Sequence, residues 1–219
     1  MQDRFFLFDL DGTLTDSREG VINSVKLVLG HYGIAVPDGD GENRFIGPPL
    51  RESFRESGVP EGEIENAMKI YRSRYFSVGK YECLIYRGIE SLLARLYEEG
   101  YGLYVATSKP EGVSVEILQH FGLARYFSRI AGASLDGRID TKDQVITHLF
   151  EEIGKDRPKE NAVMIGDTAF DVLGAKRHGI PCVGVSWGYG AHAELNAAGA
   201  IAVVDDTEAL YRILTREML

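Results

Sequence analysis

The stretch Phe5-Phe6-Leu7-Phe8-Asp9-Leu10-Asp11-Gly12-Thr13 decides the fold. Its first four residues are apolar without alternation and too few for a helix, which is typical of a strand buried on both faces of a parallel sheet. Two carboxylates follow where this strand ends, and Gly12 permits a sharp turn after them. Strand carboxyl ends are the usual ligand site of an open α/β sheet, so we expect Asp9 and Asp11 to face a ligand. Their alternative role as turn-forming or helix-capping aspartates stays open on this stretch alone.

Similar apolar runs recur along the chain and alternate with helical patterns. The further predicted strands are 103–106, 162–165 and 182–185. The predicted helices between and after them are 89–97, 111–121, 142–153, 169–178 and 208–215. This alternation predicts an α/β fold with a doubly wound, Rossmann-like parallel sheet.

The interval between the first strand and residue 103 breaks this alternation. It contains helical patterns at 21–32, 50–57 and 61–78, the first of them after Ser17 as a cap. We therefore predict an all-helical cap domain over residues 15–86, inserted into a catalytic core of residues 1–14 and 87–219. Tyr71, Tyr75 and Phe76 recur at helical spacing, and we expect them in the core of the cap.

Composition excludes several functional classes. The 219 residues are 44% hydrophobic and 26% charged, as in a globular protein, and their net charge of -9 disfavours a nucleic-acid partner. Two cysteines are too few for a disulfide scaffold. Asp9 and Asp11 interrupt the apolar run 5–8, so we expect no signal peptide. No apolar stretch approaches the ~20 residues of a membrane span, so we expect a cytoplasmic protein without a membrane partner. Monomer and homodimer both remain open.

A second acidic stretch, Gly166-Asp167-Thr168-Ala169-Phe170-Asp171, follows the run 162–165. A helix that begins near Thr168 would place Asp167 at its start and Asp171 one turn in, so that four carboxylates converge with Asp9 and Asp11. Such carboxylates repel one another and call for a cation, and an oxygen-rich site of this kind suits Mg²⁺. A further role of Asp167 as a helix N-cap is compatible with metal binding.

Two further positions could bind an anion. Thr107-Ser108-Lys109 follows the run 103–106 and offers hydroxyls and backbone N–H groups at a helix start, with Pro110 in the first turn. A plain Ser/Thr helix cap is the alternative there. Lys142 opens a predicted helix, and its ammonium could balance a carboxylate nucleophile and a phosphoryl group. This assignment depends on its place in the series of motifs.

The ordered set Asp9/Asp11, Thr107, Lys142 and Asp167/Asp171 resembles the four motifs of the haloacid dehalogenase superfamily over the whole chain. The resemblance is to the phosphoglycolate phosphatase branch, which includes relatives described as 5′-nucleotidases. It implies a phosphoric monoester hydrolase, a phosphatase, with Asp9 as nucleophile and Asp11 as general acid/base. It also implies that Mg²⁺ is held by Asp9, the backbone carbonyl of Asp11 and Asp167, with support from Asp171.

The sequence departs from this family pattern at two places. Ser108 stands where many relatives have Asn, and Asp143-Gln144 follows Lys142 instead of the common Lys-Pro-x-Pro. The second departure leaves Lys109 as a further candidate for the cation that faces phosphate. A carboxylate at position 11 is absent from the superfamily's dehalogenases, so Asp11 favours phosphoryl transfer.

The predicted substrate is a small phosphorylated metabolite, and the cap is expected to select it. Arg44, in the loop Arg44-Phe45-Ile46-Gly47-Pro48-Pro49-Leu50, could bind a substrate carboxylate or second anionic group, or could be a solvated residue of a plain connection. A 5′-nucleotidase and a sugar phosphomutase remain alternatives. A receiver-type phosphoacceptor domain is a non-enzymatic alternative, but such domains are shorter and lack a cap.

Overall fold

The structure is a computed structural model that describes residues 3–36, 42, 45–46, 50–154 and 159–215. It divides into two compact units, Met1–Asp16 with Ile85–Leu219, and Ser17–Leu84. The strands are β1 (Phe5–Phe8), β2 (Thr15–Asp16), β3 (Leu84–Ile85), β4 (Gly102–Pro110), β5 (Arg129–Ala133), β6 (Ala162–Gly166), β7 (Cys182–Val185) and β8 (Ala202–Val204). The helices are α1 (Arg18–His31), α2 (Leu50–Glu56), α3 (Ile64–Ser77), α4 (Ile89–Glu98), α5 (Glu111–His120), α6 (Lys142–Ile153), α7 (Ala169–Arg177), α8 (His192–Ala198) and α9 (Thr207–Leu214).

A six-stranded sheet forms the centre of the first unit, with the strand order β5-β4-β1-β6-β7-β8. Every neighbouring pair in it is parallel. Strand β1 pairs with β4 on one side and β6 on the other, and all four of its residues are buried. This explains why its sequence is apolar without alternation. The predicted doubly wound, Rossmann-like α/β fold is confirmed.

Both faces of β1 pack into hydrophobic core. Phe5 and Leu7 belong to a buried cluster on one face. That cluster also contains residues of α6, α7 and α8, among them Val145, Ile146, Leu149, Val172, Ala175 and Leu195. Phe6 and Phe8 point to the other face because successive strand residues alternate, and the ring of Phe6 lies 5.0 Å from that of Tyr101.

The structure differs from the sequence prediction at the sheet edges and at the end of β4. Strands β5 and β8 and helix α8 were not predicted. The edge strand β8 is only three residues long, and two of these are half-buried, so its apolar signal is weak. Strand β4 continues to Pro110, with a register shift between Thr107 and Pro110, and α5 begins at Glu111. Pro110 therefore precedes the helix instead of occupying its first turn.

The second unit is helical and contains α1, α2 and α3. Tyr71 and Tyr75 are buried, and their rings stack 5.4 Å apart, so both lie in the core of this unit as expected, whereas Phe76 is only half-buried. Helix α1 begins at Arg18, so Ser17 occupies the predicted N-cap position, although the apolar pattern itself starts only at Val21. Within the part of the chain that the structure describes, no helix has the length and apolar character of a membrane span.

Candidate active site

The candidate active site lies at the carboxyl ends of three adjacent strands. Asp9 follows β1, and its backbone N–H donates to the carbonyl of Ile165 in β6 at 2.9 Å. Thr107 lies in β4 on one side of β1, and Asp167 follows β6 on the other. The chain order of the sheet reverses at β1, and ligands of open α/β sheets bind at such a point. The fold therefore brings the first, second and fourth motifs to one edge.

Three carboxylates at this edge form a buried cluster. Asp9, Asp167 and Asp171 each offer one oxygen, and these oxygens lie within 4.8 Å of one another. Asp171 is oriented by the start of α7, where the backbone N–H and the hydroxyl of Thr168 donate to its Oδ2 at 3.0 and 2.8 Å. Thr168, and not Asp167, is therefore the N-cap residue of this helix.

Lys142 is in direct contact with this cluster. Its Nζ lies 2.7 Å from Asp9 Oδ1 and 2.8 Å from Asp171 Oδ1, and it donates to the carbonyl of Ala106 at 2.8 Å. Gly174 of α7 leaves space for the lysine stem, because a Cβ there would lie 2.7 Å from Lys142 Cγ. The third motif thus places a buried cation beside Asp9.

Burial is the largest cause of the raised pKa values of Asp9 and Asp167. It raises the pKa of Asp9 to about 6, although the Lys142 ammonium acts in the opposite direction. Burial also raises the pKa of Asp167 well above its ordinary value, and repulsion from Asp171 and Asp9 adds to this effect. Burial opposes the charge of Lys142, but Asp171 and Asp9 outweigh it and raise the pKa of the ammonium. A cation that bound Asp9 and Asp167 would therefore displace protons from them.

Asp11 is separate from this cluster. Its side chain is 27% exposed, and its Oδ2 forms an ion pair with Nζ of Lys109, whose side chain is 7% exposed. The backbone N–H of Lys109 donates to the buried Thr107 Oγ1 at 3.2 Å, whereas Ser108 is exposed. The two candidate lysines therefore have different neighbours: Lys142 contacts Asp9, and Lys109 contacts Asp11.

Three residues to which the motifs assigned no role also contribute to the site: Thr13 of the first motif, and Trp187 and Tyr189, which lie outside the motifs. The Thr13 hydroxyl donates to Asp167 Oδ1 at 3.2 Å, and the Tyr189 backbone N–H donates to Asp167 Oδ2 at 2.8 Å. Trp187 Nε1 donates to the carbonyl of Thr13 at 3.1 Å. The signal that could have revealed Trp187 and Tyr189 is their position directly after β7, the neighbour of β6.

Gly12 is required by the close approach of the first and fourth motifs. Its φ is +84°, a conformation that favours glycine, and a Cβ at this position would lie 2.1 Å from Asp167 Oδ2. Any larger residue would therefore displace the Asp167 carboxylate.

The buried carboxylates fit a divalent metal ion. Asp9 Oδ1 and Asp171 Oδ1 are buried oxygens that share the single ammonium of Lys142, and among the described residues no hydrogen-bond donor reaches the buried Asp11 Oδ1. The four aspartates of the two motifs, opposed by Lys142 and Lys109, leave a formal deficit of two positive charges when all are ionised. Hard oxygen donors of this kind suit Mg²⁺. Asp171 is already held by Thr168 and Lys142, which suits a supporting role.

Arg44 cannot be placed in this site. It was predicted to contact an anionic group of the substrate, but it lies outside the described residues, as do Gly47, Pro48 and Pro49 of its loop.

Comparison with known proteins shows the family to which the chain belongs. The family described as "Haloacid dehalogenase-like hydrolase" matches residues 6–185. A "5′-nucleotidase" of Pseudomonas aeruginosa is 43% identical over 95% of this chain and 94% of its own length. The crystal structure of a predicted phosphatase from Clostridium acetobutylicum superposes with a TM-score of 0.88 at 43% identity, covering 96% of this chain and 97% of that one. Relatives named phosphoglycolate phosphatase are 27 to 30% identical.

One similar protein carries a different name. "Tyrosine-protein kinase PtkA" of Mycobacterium tuberculosis is 44% identical over 84% of this chain, and the match spans 62% of that relative's own length.

Proposed function

Because the chain belongs to the haloacid dehalogenase-like hydrolase family and is a phosphatase, we propose that it hydrolyses small phosphate monoesters through an aspartyl-phosphate on Asp9. The contact of Asp9 with Lys142, inside a buried cluster with Asp167, is the observation that carries this proposal. Asp9 is the carboxylate that combines a strand-end position at the switch point with a neighbouring cation.

In the first half-reaction, a carboxylate oxygen of Asp9 attacks phosphorus and the ester P–O bond breaks. Asp11, in its protonated form in this step, donates a proton to the departing alkoxide, and the contact of Lys109 with Asp11 Oδ2 keeps the side chain oriented. Lys142 and Thr107 stabilise negative charge on the phosphoryl oxygens. In the second half-reaction, water attacks the same phosphorus, Asp11 accepts its proton, and the bond to Asp9 breaks to release inorganic phosphate.

Mg²⁺ is the cofactor that we propose. Asp9, the backbone carbonyl of Asp11 and Asp167 would hold it, and Asp171 would support the site. When bound, the ion would supply positive charge that offsets the repulsion between the Asp9 carboxylate and the phosphate dianion.

Nucleoside 5′-monophosphates are the substrate class that we propose first. The relative named a 5′-nucleotidase resembles this chain more closely than the relatives named phosphoglycolate phosphatase do, and the match extends over nearly the full length of both chains. Phosphoglycolate is the second candidate. We propose that the helical unit Ser17–Leu84 is the cap that selects between such substrates.

A phosphatase screen with Mg²⁺ tests this proposal. We expect kcat/KM to be highest for nucleoside 5′-monophosphates in a panel that also contains phosphoglycolate and sugar phosphates. Asp9→Asn and Asp11→Asn should lower turnover, for Asp9→Asn by on the order of 10³-fold or more. Excess EDTA should abolish activity, and added Mg²⁺ should restore it.

Asp3→Asn is the matched control, because it makes the same chemical change at an exposed aspartate outside the site. Near wild-type turnover in Asp9→Asn would contradict the nucleophile assignment, and activity after complete chelation would contradict the metal. Transfer of phosphate from ATP to a tyrosine peptide, faster than hydrolysis, would favour the reaction named for the mycobacterial relative.

A further inference from the structure

The segment Trp187–Gly190 follows β7 and contacts residues of the candidate active site, but it belongs to none of the four motifs. It belongs to the same unit as the catalytic motifs. Within this unit it contacts both the chain after β1 and the carboxylate that follows β6.

The main chain of this segment orients Asp167. The backbone N–H of Tyr189 donates to Asp167 Oδ2 at 2.8 Å, while Thr13 donates to Oδ1 at 3.2 Å. The two hydrogen bonds therefore fix the orientation of the buried Asp167 carboxylate before any cation binds. Holding ligands in place in advance reduces the ordering that binding must impose.

Two side chains fix the position of this main chain. Trp187 Nε1 donates to the carbonyl of Thr13 at 3.1 Å. The Tyr189 hydroxyl donates to Asp16 Oδ1 at 3.1 Å. Thr13 and Asp16 both belong to the chain that leaves β1 and that carries Asp9 shortly before. The two hydrogen bonds thus connect the support of Asp167 to the backbone that positions Asp9.

Two glycines allow the segment to approach this closely. A Cβ at Gly188 would lie 2.3 Å from Asp167 Cβ and 2.4 Å from the carbonyl oxygen of Gly12. A Cβ at Gly190 would lie 2.0 Å from the carbonyl oxygen of Asp167. Side chains at these positions would move the segment away, and the Tyr189 N–H would no longer reach the carboxylate.

We infer that Trp187 and Tyr189 are positioning residues that set the placement of Asp167 relative to Asp9, and thereby the affinity of the site for Mg²⁺. This inference rests on the proposed function, because it assumes that these two carboxylates bind one ion. Neither side chain needs to touch the ion. Trp187 acts through the backbone carbonyl of Thr13, and Tyr189 through the carboxylate of Asp16, both in the chain that follows Asp9.

Isothermal titration calorimetry of the full chain with MgCl₂ tests the inference. Tyr189→Phe removes only a hydroxyl, and Trp187→Phe removes the indole N–H while it keeps an aromatic ring. We expect each variant to raise the Kd for Mg²⁺ by about three- to tenfold, the effect of one lost hydrogen bond. Tyr211→Phe is the matched control: it removes a hydroxyl that is bonded to Glu99 at 2.7 Å, and it should leave Kd unchanged.

Tryptophan emission gives a second readout. Trp187 is the only tryptophan of the chain, so a change in its fluorescence on titration with Mg²⁺ reports directly on this segment. We expect a saturable change with the calorimetric Kd in the wild type, a weaker-binding curve in Tyr189→Phe, and no change in Asp167→Asn. If Tyr189 had a purely structural role, Tyr189→Phe would lower the melting temperature of the protein and leave the Kd for Mg²⁺ unchanged in both calorimetry and fluorescence.

The outcomes separate this inference from the proposed function. Equal Mg²⁺ affinity of the wild type, Tyr189→Phe and Trp187→Phe would overturn the inference while the metal site stands. A wild type that does not bind Mg²⁺ would overturn both. If Trp187→Phe fails to fold, the comparison of Tyr189→Phe with Tyr211→Phe decides the question alone.

Discussion

In the proposed mechanism, Asp9 must be ionised to attack phosphorus, yet burial raises its pKa and so stabilises the protonated form. Burial raises its pKa to about 6 from an ordinary value of 3.8, in spite of the contact with Lys142. A divalent cation at the site would reverse this balance, because it stabilises the charged carboxylate. The protonation of Asp9 would therefore link the proposed catalysis and the proposed metal binding to the stability of the fold.

The metal-free protein should show this link as a pH dependence of its unfolding free energy. The folded state binds the Asp9 proton more tightly than the unfolded state, so the stabilisation is complete below about pH 3.8 and is lost as the pH rises through about 6. Relative to Asp9→Asn, which cannot ionise there, the wild type should lose roughly 2 kcal/mol between pH 4 and pH 7.

Urea unfolding in EDTA across this pH range measures the difference. Added Mg²⁺ should stabilise the wild type more at pH 7 than at pH 5, because the ion competes with the proton for the carboxylates. Parallel pH profiles of the wild type and Asp9→Asn would show that Asp9 has no shifted pKa.

The start of α6 is the element on which the position of Lys142 depends. Lys142 is the first residue of this helix, and Gln144 Oε1 accepts the backbone N–H groups of Asp140 and Thr141 at 2.9 and 3.2 Å. These bonds belong to a capping box, which satisfies N–H groups that the helix cannot pair itself. The sequence feature that departs from the common family pattern, Gln144, thus has a structural function here.

Gln144→Ala should lower the unfolding free energy by about 1 kcal/mol through loss of this cap. It should also reduce kcat several-fold, because fraying of the first turn moves the ammonium away from Asp9. Glu151→Ala, at an exposed position of the same helix, is the control and should change neither quantity appreciably. Denaturant unfolding and steady-state kinetics measure the two effects. A lower unfolding free energy with an unchanged kcat would show that the N-cap of α6 does not control the position of the Lys142 ammonium.

The sequence predicted best the strands that are buried on both faces. Strands β1, β6 and β7 lie inside the sheet and are buried on both faces, so their apolar runs are visible in the chain itself. Strand β5 is an edge strand of small residues that starts with the half-buried Arg129, and this mixture gives no clear period. An edge strand forms because its backbone pairs with the adjacent strand of the sheet, and the local sequence does not show which strand will be adjacent.

The candidate site follows the same rule. Asp9 and Asp167 were predictable because each directly follows a recognisable strand, and Lys142 because it opens a recognisable helix. The pairing of Lys109 with Asp11 and the contact of Tyr189 with Asp167 were not predictable. They depend on which strands are adjacent in the sheet and on main-chain donors, and neither has a residue-type signal.

At the scale of the whole molecule, the helical unit is an insertion whose ends are close together. In the sheet-containing unit, the backbone N–H of Tyr86 donates to the carbonyl of Leu14 at 3.1 Å. In the helical unit, the backbone N–H of Gly20 donates to the carbonyl of Glu82 at 2.9 Å. In each unit, the two chain segments that lead to the other unit are therefore hydrogen-bonded to each other. A domain whose chain ends are adjacent in this way can be inserted or removed with little disturbance of the rest.

Replacement of residues 17–84 by a short Gly/Ser linker should consequently leave a folded sheet-containing unit. The residues that contact one another in the candidate active site, from Asp9 to Tyr189, all remain in this unit, so Mg²⁺ binding by calorimetry and slow hydrolysis of p-nitrophenyl phosphate should persist. The preference for nucleoside 5′-monophosphates over phosphoglycolate should fall toward unity, because the proposed cap is absent. Circular dichroism and cooperative unfolding verify the fold, and kcat/KM ratios measure the preference. A shortened protein that folds and keeps the wild-type ratio would place substrate selection in the sheet-containing unit.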